Sequence, residues 1–111
     1  FGIEAARNPG FPGVWVGNTK IASLGIAVQR HITLHGLAMN VDRDLSLFNF
    51  ITPCGLDGVT ATSVQREQTA PPASMAEVKS RFLEAFCDVF AQPLPPLQPT
   101  EACEALLAAQ A

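Results

Sequence analysis

From Ile21 to Val28 the chain reads Ile-Ala-Ser-Leu-Gly-Ile-Ala-Val, which is largely apolar at both odd and even positions. A strand sends alternate side chains to opposite faces, so a strand wetted on one side would show a polar residue at every second place. This run does not, and it predicts a strand covered on both faces of its sheet. Such a sheet needs other layers around it, which points to an α/β (α+β) fold, a mixed β-sheet flanked by helices. With 111 residues there is room for one small domain and not for two.

The neighbouring segments supply the rest of that sheet. Gly13-Val14-Trp15-Val16 is short, apolar and rich in β-branched and aromatic residues, and Gly17-Asn18 follows as a hairpin turn. Lys20 to Arg30 is a second strand, and His31 to Asp42 a third, bent at Gly36. Before them, the turn formers Arg7, Asn8, Pro9, Gly10 and Pro12 predict an irregular lead-in. After them, Asp44 to Ile51 fits a short helix capped by Asp44 and stopped by Pro53. Val59 to Val64 reads as another short extended piece. Ser74 and Glu77 form a capping box for a helix to Phe90, with Met75, Val78, Phe82, Phe86 and Val89 on one dry stripe. Gln92 to Pro99 holds four prolines and should be extended, and Glu101 to Gln110 is a short helix candidate. The folded unit is therefore expected over residues 1–92, with 93–111 as a proline-rich tail with a short helix.

Composition narrows the function. At 48% hydrophobic and 15% charged residues, the chain is too apolar for intrinsic disorder. A net charge of −3 with seven Lys+Arg leaves no basic stripe, so nucleic acid is not an expected partner. No apolar run approaches the ~18 residues of a membrane-spanning helix, and the N-terminus lacks a secretory pattern. A cytoplasmic protein is expected, with no membrane partner. Cys54, Cys87 and Cys103 are an odd count without CxxC spacing, which argues against disulfides and structural zinc. His31 and His35 lie four apart on one side of a strand, but no third ligand has a recognisable spacing, so no metal is expected.

Cys54 is the side chain with the clearest chemical potential. Pro53 stiffens the backbone before it, and Gly55 allows a tight turn that leaves the sulfur uncrowded. A thiol attacks as the thiolate, so it needs a nearby cation or base. Lys20, Arg30, His31, His35, Arg43 and Arg66 could serve. Lys20 stands out at the head of an apolar strand, because an amine held where water is scarce loses part of its preference for charge. His35 is the conventional choice of base. Against these stand plainer readings: Cys54 as a packing residue, Lys20 as a solvated strand end, and Cys87 and Cys103 as inert core thiols.

Three blocks in order decide between them. Gly13-Val14-Trp15-Val16-Gly17-Asn18-Thr19-Lys20-Ile21-Ala22-Ser23-Leu24-Gly25, then Leu34-His35-Gly36-Leu37-Ala38-Met39-Asn40-Val41, then Asp44-Leu45 and Pro53-Cys54-Gly55 resemble the octanoyltransferase family of protein lipoylation. The resemblance covers about residues 7 to 92. It implies part of a biotin/lipoate protein ligase-like catalytic domain and a ping-pong transfer without a cofactor. An octanoyl group would move from octanoyl-acyl carrier protein to Cys54, then to a lysine of a lipoyl domain or the glycine-cleavage H protein. Lys20 would lower the cysteine's pKa and shuttle its proton. Ser23, Leu24 and Gly25, with Gly36, Leu37 and Ala38, match the family's substrate-lining positions. The family's Arg-Gly-Gly and His-Gly-Pro-Gly-Gln blocks lie upstream of this region and do not occur here. The chain, which opens at Phe1, thus resembles the C-terminal half of the enzyme. Two other readings are a ligase-like domain that activates acids with ATP, against which Pro53-Cys54-Gly55 argues, and a non-catalytic module that docks carrier or lipoyl domains.

Overall fold

The computed structural model describes residues 1–51, 58–69 and 71–91. It divides into two compact units, residues 1–78 and 79–111, and the sheet lies in the first. Strands β1 (Ala6–Asn8), β2 (Phe11–Val16), β3 (Thr19–Gln29) and β4 (Ile32–Met39) are antiparallel neighbours in that order. A short β5 (Thr60–Ala61) pairs in parallel with β3, which makes the sheet mixed, as the sequence predicts. The lead-in is less irregular than expected: β1 pairs with β2 through Ala6↔Trp15 and Asn8↔Phe11. Pro12 is tolerated within β2 because pairing with β3 starts only at Val14, so its missing N–H breaks no bond to that strand.

Two turns set the hairpins. Gly17 opens the β2–β3 turn at φ 56°. Arg30 and His31 make the β3–β4 turn at φ 51° and 66°, between the closing pair Gln29↔Ile32. A two-residue hairpin turn of this kind needs positive φ at both places, usually taken by Asn or Gly. Here an arginine and a histidine take it.

The core is built from Ile21, Ala22, Val41, Val64, Ala73 and Val78, with Ile3, Val14 and Val16 packed against it. The expected two-sided cover of Ile21 to Val28 is not found among the described residues. Burial on β3 ends at Ala22; Leu24 to Gln29 and the whole of β4 are exposed, with Ile26 at 65% and Val28 at 69%. The cause is where the chain goes next. After β4 it returns to the first half of β3: Asn40 N–H donates to the Ile21 carbonyl at 2.9 Å, and Thr62 N–H to that of Lys20 at 2.9 Å. Among the described residues, the covering segments therefore stack beside Lys20 to Ala22, and none covers the far end of the hairpin.

The helices also differ in detail from their expected forms. Ser46–Phe50 is a 3₁₀ turn whose cap position is Leu45, not Asp44. Asp42 accepts from the Asp44 N–H and Asp44 from the Ser46 N–H, each at 3.0 Å, and such local side-chain bonds compete with a regular α-helical start. Of Val59 to Val64 only Thr60–Ala61 is extended; Val64 opens a single helical turn, α1 (Val64–Glu67), capped by the Ser63 hydroxyl. Helix α2 (Met75–Phe90) forms where the capping box places it, with Glu77 N–H donating to Ser74 Oγ at 3.1 Å. Its stripe is not uniformly dry. Val78 is buried, Phe82 and Phe86 are half-buried, and Met75 and Val89 are exposed. The phenyl rings instead pack along the helix, Phe82 on Phe86 and Phe86 on Phe90. No helix among the described residues is long and apolar enough to cross a membrane. The proline-rich stretch and final helix candidate fall in 92–111, outside the described residues.

Candidate active site

Lys20 is not a solvated strand end. It is only 5% exposed, although its strand begins at Thr19. Its backbone is held on both sides, opposite Trp15 of β2 and Ala61 of β5, so the residue is fixed at the centre of the sheet. The side chain is shaped by two neighbours. Its Nζ sits 5.4 Å from the centroid of the Trp15 ring, within cation–π range. Its stem lies against the bare backbone of Gly13, where a Cβ would come within 2.5 Å of the Ala22 carbonyl oxygen, 3.3 Å of Nζ and closer still to Cε. Gly13 has φ 132°, which other residues rarely adopt. Trp15 is itself fixed, donating from Nε1 to the Phe11 carbonyl at 3.2 Å and meeting the Phe11 ring edge-to-face.

The second strand pair brings the expected lining residues together. Ser23↔Ala38, Leu24↔Leu37 and Gly25↔Gly36 are direct cross-strand partners on β3 and β4. Paired glycines leave backbone uncovered, and nothing lies within 4 Å of where a Cβ would stand on either. Flanking it, Leu24 and Leu37 are 42% and 46% exposed. The sheet there is a smooth apolar surface with small residues at its centre. His35 and Gly36 take φ 69° and 155°, so the backbone departs from regular strand at the predicted bend while the pairing continues.

Cys54, within residues 52–57, lies outside the described residues, as does Cys103. Cys87 is a free, half-buried thiol on α2. Of the other cations weighed beside Cys54, Arg30 and His31 occupy the exposed β3–β4 turn, and His35 stands on the exposed β4. Arg66 donates from Nε to the Arg43 carbonyl at 2.7 Å. Among the described residues Lys20 is the one candidate that is buried, and no cluster of His, Cys, Asp or Glu could hold a metal ion.

Sequence reasoning did not single out the frame around Lys20. Asn40 donates from Nδ2 to the Thr62 carbonyl at 2.9 Å and from its backbone to Ile21, while its own carbonyl accepts from Val64. Thr62 bonds Glu67 through its hydroxyl, and Ser63 is fully buried. A polar residue closing an apolar strand, as Asn40 does, was the available signal. Alongside lies an apolar groove of about 640 Å³ whose walls include Arg7, Phe11, Gly13, Val14 and Leu24.

The described residues thus form a mixed sheet that buries one amine at the head of a small-residue, apolar strand pair. Residues 1–87 match the lipoyl protein ligase A/B catalytic domain, and the chain belongs to that family. It is 57% identical over 113 residues to an octanoyltransferase of Desulfovibrio desulfuricans, covering 96% of this chain and 48% of that protein. An octanoyltransferase of Nitratidesulfovibrio vulgaris is 53% identical over 93 residues, covering 84% of this chain and 43% of its own length. One from Dictyoglomus turgidum is 47% identical over 81 residues, covering 73% and 34%. The chain thus spans about half, or less, of the curated relatives it matches.

Proposed function

We propose that residues 1–92 form the C-terminal half of an octanoyltransferase catalytic domain acting in the cytoplasm, with 93–111 as a tail. Its donor is octanoyl-acyl carrier protein, and its acceptor is a lysine of a lipoyl domain or the glycine-cleavage H protein. Lys20 Nζ, as the amine, takes the proton of the Cys54 thiol. The thiolate sulfur adds to the thioester carbonyl, and the carrier's sulfur leaves with the proton returned by Lys20, so that octanoyl remains on Cys54. The acceptor's ε-amine then adds to this second thioester, an amide forms, and Cys54 leaves as thiolate. Lys20 takes the proton that the incoming amine must lose. A thioester is already activated, so the transfer needs neither ATP nor a metal. Backbone N–H groups near Cys54 would hold the developing oxyanion.

Gly25, Gly36 and Ala38 allow an alkyl chain to lie against backbone, with Ser23, Leu24 and Leu37 around it. The observation that carries the reading is the burial of Lys20 at 5%, against Gly13 and the Trp15 ring. Incubation with octanoyl-acyl carrier protein tests it. A hydroxylamine-labile octanoyl mass on the peptide containing Cys54 is expected. Adduct formation that is unchanged in Cys54→Ala contradicts it.

A further inference from the structure

Between β2 and β3 the register slips by one residue. Val14 pairs with Ala22, but Trp15 pairs with Lys20 and Val16 with Thr19. Ile21 is thus the extra residue of a bulge on β3, a device that re-aims side chains across a ladder. An unbroken register would set Trp15 against Ile21 and Val16 against Lys20. The bulge instead gives the lysine an indole as its cross-strand neighbour, where a valine would offer it only bulk.

That indole is fixed before the lysine meets it. Trp15 is 5% exposed, its Nε1 donates to the Phe11 carbonyl at 3.2 Å, and the Phe11 ring stands at 69° to it. Lys20 Nζ lies over the ring face, while the lysine stem fills the space of a Gly13 side chain. Neither β2 nor β5, the strands paired with Lys20, carries a charged residue. The next segments bring Arg7 on β1, with Arg66 and Glu67 on α1; Arg66 bonds the Arg43 carbonyl and Glu67 the Thr62 hydroxyl. The negative face of an aromatic ring attracts an ammonium and does little for a neutral amine. We propose that Trp15 is a positioning residue for the transfer: its ring seats the Lys20 ammonium that forms as the Cys54 S–H bond breaks and the proton joins Nζ, and so favours the thiolate. This rests on the acyl-transfer reading above.

Trp15 is the sole tryptophan, so a chain made with fluorinated tryptophan is altered at this site alone. Fluorine draws charge from the ring face and scarcely changes the ring's shape, which leaves a purely structural role intact. In the 111-residue chain carrying Cys87→Ser and Cys103→Ser, the rate of Cys54 alkylation is measured against pH with tryptophan and with its mono-, di- and trifluoro forms. The profile should move to higher pH in that order, with alkylation at neutral pH slowing about twofold per fluorine. Trp15→Phe, which keeps a weaker ring, should fall within the series. The fluorine effect should vanish in Lys20→Met, where no amine is left to seat. Profiles that superimpose or move to lower pH, in a chain whose Lys20→Met variant does shift, overturn the Trp15 assignment and leave the acyl-transfer reading standing. A fluorine effect that persists in Lys20→Met also overturns it, because the ring then acts without the amine. If Lys20→Met itself leaves the profile in place, proton transfer to Lys20 falls, and the role of Trp15 falls with it.

Discussion

Gly13 and Lys20 occupy one space: the lysine stem fills the position that a side chain on residue 13 would need. A Cβ there would also meet the Ala22 carbonyl oxygen at 2.5 Å, which belongs to the sheet and cannot turn aside. Gly13→Ala should therefore cost about 2–3 kcal/mol, from a strained backbone and an overpacked contact together. Urea unfolding measures the cost, and a red-shifted Trp15 emission would mark displacement of Lys20. The control is Gly17→Ala, also at positive φ but in open space, which should cost about 1 kcal/mol and leave the emission unchanged.

Asn40 ties β4, β3 and the segment before α1 into one frame. Asn40→Ala removes the Nδ2 bond to the Thr62 carbonyl and should destabilise by about 1–2 kcal/mol, since the acceptor is left part-buried. Amide exchange should quicken most at Thr62 and Val64, whose N–H groups bond Lys20 and Asn40. Uniform acceleration across the sheet would show that the bond has no such local role.

The Asp44 carboxyl is held below its usual value of 3.8, chiefly by the Ser46 N–H, then by the Ser46 side chain, with Arg66 adding a smaller attraction. Because the folded value is the lower one, ionised Asp44 favours the folded state above the unfolded value. That contribution is lost as pH falls through the folded value. Asp44→Asn keeps an acceptor for Ser46 but cannot titrate. Its urea midpoint should fall less steeply than that of the unsubstituted chain between about pH 5 and pH 2. Parallel curves would contradict the assignment.

The far end of the β3–β4 hairpin carries exposed apolar side chains, including Ile26, Val28 and Ile32 at 64% or more. A surface of this kind promotes association. The double substitution Ile26→Thr, Val28→Thr keeps β-branching and should change stability by no more than about 0.5 kcal/mol. Light scattering should show less self-association. A loss of several kcal/mol would mean that these side chains are covered in solution.

The sequence placed the β2–β3 and β3–β4 strands well because alternation, β-branching and Gly17 are local signals. It missed β1, whose turn formers look irregular until β2 is there to pair with them. It broke the strands at the right place but counted Arg30 and His31 as strand ends, because neither residue has an intrinsic preference for the positive φ that the hairpin imposes on them. The both-sided apolar pattern of β3 records a demand for cover. What fills that demand is a property of tertiary contacts, and among the described residues of β3 Lys20 to Ala22 are the enclosed ones. For the site, the block resemblance singled out Ser23–Gly25 and Gly36–Ala38, which proved to be cross-strand partners. The role of Gly13 stayed hidden, because a glycine in a strand pattern does not say which side chain will use its empty face.

The central claim is that the buried Lys20 amine governs the proton of Cys54. It is tested most directly by the rate of Cys54 alkylation against pH, in a Cys87→Ser, Cys103→Ser background, with and without Lys20→Met. Methionine keeps the length of the stem and removes the amine. The profile of the Lys20→Met chain should move to higher pH, with Cys54 reacting more slowly at neutrality. Superimposable profiles from two equally folded proteins would remove Lys20 from the chemistry.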